Sequence, residues 1–232
     1  MTKAARAISV DVDGTLYRVR RLRVAWRLRH ERGLVLALVA ARERIRHEGA
    51  FDSLEALEAR EVELVAPSFG LSREEAMARL VNLRREIPHA LTRGARPHGG
   101  VEGALRAAAS HGLKLAVLSD YAAEEKLAYL GLASLPWSVT VAADACGALK
   151  PHPRPYAHLC ERLGIPPEDV VHVGDREDVD VEGACLAGLR AWRFSERRGE
   201  ATAAERVFSK WSLDVFRPLW EGQPSASSGK GG

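Results

Sequence analysis

Short apolar runs that alternate with helical patterns constrain the fold of this chain more than any other feature. The runs are ISVDV at 8–12, KLAVLS at 114–119, SVTVAA at 138–143, DVVHVG at 169–174 and LRAWRF at 189–194. Each has the length and composition of a buried strand, and helical patterns such as those at 101–112 and 156–164 separate the later ones. Strands that alternate with helices predict an α/β fold, in which a parallel sheet is covered by helices on both faces.

The region from residue 17 to about residue 97 interrupts this alternation and carries no strand pattern. Its apolar spacing predicts three helices, at roughly 22–48, 53–65 and 73–86. We therefore predict two domains: an α/β core formed by residues 1–16 and 98–221, and an all-helical domain formed by residues 17–97, called here the helical insert. The remaining residues, 222–232, are small and polar, which predicts a disordered tail.

Composition favours a globular protein and argues against some partners. The chain has 232 residues, 46% of them hydrophobic, which suits one large domain or one domain with an insert. Its net charge is only +3, so no global field favours nucleic acid. The longest apolar run, at 33–41, is shorter than the about 20 residues that a membrane-spanning helix needs.

The expected location is the cytoplasm. Three cysteines, an odd number without metal-like spacing, fit a reducing compartment better than a disulfide framework. The first strand begins within about seven residues of the N-terminus, which leaves no room for a signal peptide. Neither pattern predicts an oligomeric state.

An arginine-rich stretch, RVRRLRVAWRLRHERG at 18–33, leads into the helical insert with seven arginines and one acid. Three interpretations stay open. The arginines can form a solvated helix face or a rim that recognises an anionic substrate. With Trp26 on its apolar side, the stretch can also be a helix for a membrane surface or an acidic partner.

Two acids end the first strand, and Asp11-Val12-Asp13-Gly14 allows three interpretations. A hairpin turn lacks a partner strand, because a basic helical stretch follows. A calcium loop would need acids at positions 9 and 20, which hold Ser9 and Arg20. Residues i and i+2 of a strand point to the same side, so the third interpretation is a catalytic pair of carboxylates with divided nucleophilic and acid–base roles.

Other strand ends carry the groups that such a pair needs. Three aspartates follow the fourth strand: Asp175, Asp178 and Asp180. Several carboxylates near Asp11 would repel one another unless a cation held them, and their hard oxygen atoms suit Mg²⁺. Lys150, one of six lysines among 34 basic residues, can neutralise both a nucleophile and a phosphate. Ser119 offers a hydroxyl at the end of the second strand, where it can hold phosphoryl oxygen atoms.

Four ordered motifs make the chain resemble the haloacid dehalogenase-like hydrolase superfamily over about residues 7–195. The motifs are DVDGT at 11–15, LSD at 118–120, LKP at 149–151 and VGDREDVD at 173–180. The resemblance implies a Rossmann-like three-layer α/β/α sandwich, with the helical insert as a cap that follows the first motif.

The same resemblance implies roles for individual residues. Asp11 would be the nucleophile that forms an aspartyl-phosphate, Asp13 the general acid and base, and Lys150 the catalytic cation. The expected substrate-binding residues are Ser119, Asp120, Gly14 and Thr15. The expected Mg²⁺ ligands are Asp11, Asp13 through its backbone carbonyl, Asp175 and Asp180. Asp120 stands where many relatives carry asparagine, so we expect its side chain to point away from the phosphoryl group.

The resemblance also narrows the chemistry. Dehalogenase relatives lack the second acid of the first motif, which is present here as Asp13. Phosphonate-cleaving relatives use a lysine of the cap, whereas residues 17–97 contain none. We therefore expect a Mg²⁺-dependent phosphatase that hydrolyses a small phosphorylated metabolite. The alternatives are a phosphosugar mutase and a catalytically weak binding or regulatory module on the same fold.

Overall fold

A six-stranded parallel sheet forms the centre of the core in the computed structural model, which describes residues 4–197 and 199–221. The strands are β1 (Ala7–Val10), β2 (Lys114–Ser119), β3 (Trp137–Ala142), β4 (Val170–Gly174), β5 (Arg190–Phe194) and β6 (Arg206–Phe208). Their order in the sheet is β3-β2-β1-β4-β5-β6. Five strands lie where the apolar runs predicted them. The sixth is a three-residue edge strand paired with β5, too short to show a pattern in the sequence.

Helices cover both faces of this sheet. Helices α5 (Val101–Ser110) and α6 (Glu124–Tyr129) pack on one face, and α7 (Pro153–Leu163) and α8 (Glu182–Leu186) pack on the other. Because side chains alternate along a strand, Ile8 and Val10 join the first apolar cluster, whereas Ala7 joins the second. The predicted three-layer α/β/α sandwich is confirmed.

The helical insert consists of α1 (Arg21–Arg27), α2 (Arg32–Glu48), α3 (Leu54–Val65) and α4 (Arg73–Thr92), which share an apolar cluster of their own. The first predicted helix is broken by a 3₁₀ turn at Arg29–Glu31, next to Leu28, which is 3% exposed in that cluster. Helix α4 continues through Pro88, because Ile87 and Ala90 still pack against the cluster. Tertiary packing thus overrides both local patterns.

The two ends of the helical insert meet at one place on the core. Tyr17 pairs with Pro97, and the His98 N–H donates to the Leu16 carbonyl at 2.8 Å. Helix α2 then lies over the carboxyl ends of the strands, where Ile45 packs with Leu149 of the core. In the described ranges no helix has both the length and the apolar character needed to cross a membrane. The tail predicted at 222–232 falls outside the described residues.

Candidate active site

Asp11 lies directly after β1, near the middle of the sheet, and is 6% exposed. Its backbone N–H donates to the Val173 carbonyl at 2.9 Å, so the strand ladder continues past β1 and fixes the carboxylate at the sheet edge. The Lys150 ammonium, itself 2% exposed, donates to Asp11 Oδ1 at 2.7 Å and to Asp180 Oδ1 at 2.6 Å. Lys150 is thus the counter-charge that two buried acids share.

Asp11, Asp175 and Asp180 each bring a carboxylate oxygen to within 4.8 Å of the others. Burial, with repulsion from neighbouring acids, raises the pKa of Asp11 to about 8 and that of Asp175 to about 6, and Lys150 offsets this only in part. Burial also opposes the charged form of Asp180, but Lys150 and His172 hold its pKa below the usual range. The Lys150 ammonium therefore contacts two of the three acids and acts on Asp175 only through its charge. A set of hard oxygen atoms with uncompensated negative charge fits Mg²⁺.

The turn after β1 is fitted closely around these acids. Thr15 is fully buried, and its hydroxyl lies 3.2 Å from Asp11 Oδ2 and 3.3 Å from Asp175 Oδ1. Gly14 has a φ of +100°, and a Cβ on it would lie 2.4 Å from Asp175 Oδ2. Backbone conformation and space therefore both require glycine. The Thr15 hydroxyl therefore organises the two carboxylates. The expected contacts of Thr15 and Gly14 with substrate stay predictions.

Asp180 is held from several sides at the end of β4. Its Oδ2 accepts from the Arg176 N–H at 3.1 Å, and His172 lies 3.6 Å from its Oδ1. Asp178, in contrast, is exposed and pairs with the Arg176 guanidinium at 2.6 Å. Asp180 thus fixes the Lys150 ammonium, and its metal contact stays a prediction. Asp178 lies outside the acid cluster.

Ser119 is the last residue of β2 and is 1% exposed. Its Oγ has no hydrogen-bond partner among the described residues. A buried hydroxyl without a partner costs free energy, because it has lost its water and gained nothing in return. The neighbouring Leu118 carbonyl accepts from Lys150 Nζ at 3.4 Å, which places the hydroxyl and the ammonium at the same strand end. An anionic ligand at this end would give the Ser119 hydroxyl the partner that it lacks.

Asp13 is held by two residues that the sequence did not single out. Its carboxylate accepts hydrogen bonds from the Tyr17 hydroxyl and the Lys126 ammonium. Lys126 is 0% exposed and belongs to α6, the helix that follows β2. The sequence does carry a signal for Lys126: as at position 150, a lysine stands there in a chain whose basic residues are mostly arginine. Tyr17 carried no comparable signal. The predicted Mg²⁺ contact of the Asp13 carbonyl stays untested.

The Asp120 side chain is directed towards the helical insert. Its carboxylate is bound by the Arg46 guanidinium of α2, and its Oδ1 lies 3.4 Å from the Lys150 N–H. Both carboxylate oxygens are therefore occupied by protein groups. The sequence predicted that Asp120 binds substrate, and such a contact would have to be made by its backbone.

A cavity of about 520 Å³ opens from Asp13, Gly14 and Asp175 towards the arginine-rich stretch. Arginines from both parts of the molecule line it: Arg18, Arg21, Arg176, Arg193 and Arg197. Two others, Arg23 and Arg27, instead bind backbone carbonyls at the end of α4, at 3.4 and 2.9 Å. The arginine-rich stretch is thus divided between the cavity rim and the packing of the helical insert.

Comparison with known proteins points to one family. The family model of the haloacid dehalogenase-like hydrolases matches residues 5–188. Among curated proteins, glyceraldehyde 3-phosphate phosphatase of Methanopyrus kandleri is 40% identical over 92 residues, and phosphoglycolate phosphatase of Xylella fastidiosa is 36% identical over 99 residues. These matches cover 38% and 40% of this chain, and they span only 38% and 42% of the length of the two relatives.

Among solved structures, a 2-haloacid dehalogenase from Pseudomonas syringae pv. Tomato superimposes with a TM-score of 0.65. The match covers 94% of this chain and 99% of that one, at 22% sequence identity. Similarity at this level of identity shows a shared fold, including the helical insert, and nothing about the reaction.

Proposed function

The chain belongs to the haloacid dehalogenase-like hydrolase family, and from that premise we propose that it is a Mg²⁺-dependent phosphatase of a small phosphorylated metabolite. The two curated relatives described above are both named as phosphatases. The presence of Asp13 supports phosphate ester hydrolysis over dehalogenation, because hydrolysis of an ester requires an acid for the leaving oxygen.

The observation that carries the proposal is the juxtaposition of a buried acid, a buried ammonium and an unpartnered hydroxyl. Asp11 Oδ1 lies 2.7 Å from Lys150 Nζ, and Ser119, at the end of the neighbouring strand β2, has an Oγ without a partner among the described residues. A phosphoryl group placed here would accept hydrogen bonds from Ser119 and Lys150. Its phosphorus would then face the second oxygen of Asp11.

The proposed reaction has two steps. Asp11 attacks phosphorus in line and forms an aspartyl-phosphate, while the ester P–O bond breaks and Asp13 protonates the leaving oxygen. Asp13 then takes a proton from water, which attacks the aspartyl-phosphate, regenerates Asp11 and releases inorganic phosphate. Asp13 lines the 520 Å³ cavity, which is where the leaving group and the incoming water would be accommodated.

Asp11, Asp175 and Asp180 would hold the metal ion. When bound, Mg²⁺ would offset negative charge on the phosphoryl oxygen atoms as bonding to phosphorus changes. The protein contributes the fixed geometry: Thr15 ties Asp11 to Asp175, and Lys150 ties Asp11 to Asp180. These contacts hold the three acids near one another before the ion binds.

Turnover of p-nitrophenyl phosphate with Mg²⁺ tests the proposal. We expect activity in the wild type, none in Asp11→Asn or in the presence of EDTA, and full activity in the control Asp178→Asn, whose carboxylate is exposed outside the cluster. After an acid quench, mass spectrometry should find a phosphoryl group on the peptide that contains Asp11. Turnover that survives Asp11→Asn would contradict the mechanism.

The alternatives give different results in the same assays. A mutase would need a bisphosphate primer for turnover and would leave little inorganic phosphate. A binding or regulatory module would bind phosphate but turn over no ester on a broad panel.

A further inference from the structure

Asp120 places a negative charge at the end of β2, directly beside Ser119. Its side chain is 18% exposed, so bulk water screens the charge only in part. A phosphate dianion held by Ser119 would be repelled by a bare carboxylate at this position. An aspartate is therefore compatible with a phosphoryl site here only if another group neutralises it.

Arg46 of α2 provides that charge. Its two terminal nitrogens bind the two oxygens of Asp120, Nη2 to Oδ2 closely and Nη1 to Oδ1 at 3.4 Å. The Arg46 side chain is 8% exposed, and its Nη1 also donates to the Lys150 carbonyl. Burial alone would raise the pKa of Asp120, but Arg46 and Lys150 lower it to about 2. The planar guanidinium thus holds the carboxylate in a forked contact.

The other cations near Asp120 are committed elsewhere. Arg42, one helical turn before Arg46, donates to the Asp120 carbonyl at 3.1 Å. Its charge is balanced by Glu61 at 2.9 Å and Asp144 at 3.4 Å. Lys150 is shared by two other acids, and among the described residues Arg46 itself meets one more carboxylate, that of Glu43 at 3.3 Å on a side chain that is 46% exposed. Arg46 is therefore the counter-charge of Asp120.

We propose that Arg46 is a positioning residue of the phosphoryl site: it cancels the charge of Asp120, so that the helical insert completes the anion-binding end of the core. The inference rests on the proposed phosphatase function. It explains why position 120 tolerates an acid, since the neutralising arginine comes from α2. Asparagine at 120 would need no such partner.

The test is a cycle of four proteins: wild type, Arg46→Met, Asp120→Asn and the double variant. Binding of inorganic phosphate in the presence of Mg²⁺ is measured by calorimetry, and kcat and KM are measured with p-nitrophenyl phosphate. We expect Arg46→Met to weaken phosphate binding and raise KM at least about tenfold, because an unpaired carboxylate then faces the dianion. Asp120→Asn in the same background should restore both to within about threefold of the wild type.

Arg44→Met is the matched control, because Arg44 lies on the same helix, is 66% exposed and pairs with Glu48, away from Asp120. It should leave phosphate binding unchanged. If Arg46→Met does not fold, Asp120→Asn alone should still bind phosphate more tightly than the wild type, since it leaves an uncompensated arginine beside the anion.

The inference is overturned if Arg46→Met binds phosphate as the wild type does. It is also overturned if the double variant stays as weak as Arg46→Met, because loss of packing would then explain both. A wild type that binds phosphate but hydrolyses no ester contradicts the proposed function alone. A wild type that does not bind phosphate contradicts both.

Discussion

The acid cluster predicts a stability that depends jointly on pH and Mg²⁺. Burial raises the pKa of Asp175 to about 6 and that of Asp11 to about 8 in the folded protein. An acid whose folded pKa is raised contributes stability that is fully present below its unfolded pKa of about 4 and is lost as pH rises through the folded value. Without metal, Asp175 should therefore destabilise the protein between about pH 4 and pH 6, and Asp11 should continue the loss to about pH 8.

The difference between the free energies of unfolding with and without Mg²⁺ separates the effect of these acids from that of other titrating groups. His172 acts in the opposite sense below about pH 6.5, because burial lowers its pKa, but its contribution is common to both metal conditions. Each carboxyl that must release a proton before the ion binds makes Mg²⁺ stabilisation grow by about 1.4 kcal/mol per pH unit. With Asp11 as the last to ionise, we expect the stabilisation by saturating Mg²⁺ to grow by at least about 3 kcal/mol between pH 5 and pH 8.

Urea unfolding followed by tryptophan fluorescence, at pH 5, 6, 7 and 8 with either EDTA or Mg²⁺, measures this difference. Asp175→Asn should flatten the metal-free curve between pH 5 and pH 6 and remove most of the Mg²⁺ effect. Asp178→Asn, at an exposed acid paired with Arg176, should change neither. The reasoning would be refuted by a Mg²⁺ stabilisation that is equal at pH 5 and pH 8, or that falls with pH.

Three further substitutions test the contacts around the acids. Gly14→Ala places a Cβ 2.4 Å from Asp175 Oδ2 at a φ of +100°, so we expect a fall in melting temperature and loss of p-nitrophenyl phosphate turnover. Thr15→Val removes a hydroxyl near both Asp11 and Asp175, which should weaken Mg²⁺ binding about fivefold in a calorimetric titration, as one lost hydrogen bond of about 1 kcal/mol implies. Lys126→Met removes the ammonium and leaves the Asp13 carboxylate bonded to the Tyr17 hydroxyl, so kcat should fall at least about tenfold while inorganic phosphate binds as before. Equal losses of kcat and phosphate affinity in that last variant would point to general disruption of the site.

Much of the fold could be predicted because each element carries its own signal. Five strands are continuous apolar runs, as strands buried on both faces are. The exceptions depend on packing: β6 exists because β5 offers an edge, and the break before α2 lets Leu28 reach the apolar cluster of the insert. Helix α4 runs past the end predicted near residue 86 and through Pro88, because its contacts outweigh the one hydrogen bond that a proline removes. Such long-range effects are invisible in a local pattern.

The candidate site likewise has residues that the local sequence predicts and residues whose place depends on packing. Asp11 and Asp175 follow strands and Ser119 ends one, and the carboxyl ends of parallel strands meet at one edge, so the sequence was enough to bring them together. The partners of the acids come from helices whose packing no local pattern specifies. Arg46 was one arginine among many in the insert, and its contact with Asp120 depends on where α2 crosses the sheet.

The rarity of lysine shows how composition could have pointed to one of the site residues that the sequence analysis missed. Arginine accounts for most of the 34 basic residues, and it suits the partly exposed ion pairs of the insert, where a planar fork can meet two carboxylate oxygens. Within the described ranges, the buried lysines are Lys126 and Lys150, and both end on acids that follow β1. The ammonium of each is a compact charge on an unbranched stem, which can reach a carboxylate through close packing. In a chain that otherwise favours arginine, both of these rare lysines bind acids of the candidate site, so the rarity that drew attention to Lys150 applies equally to Lys126.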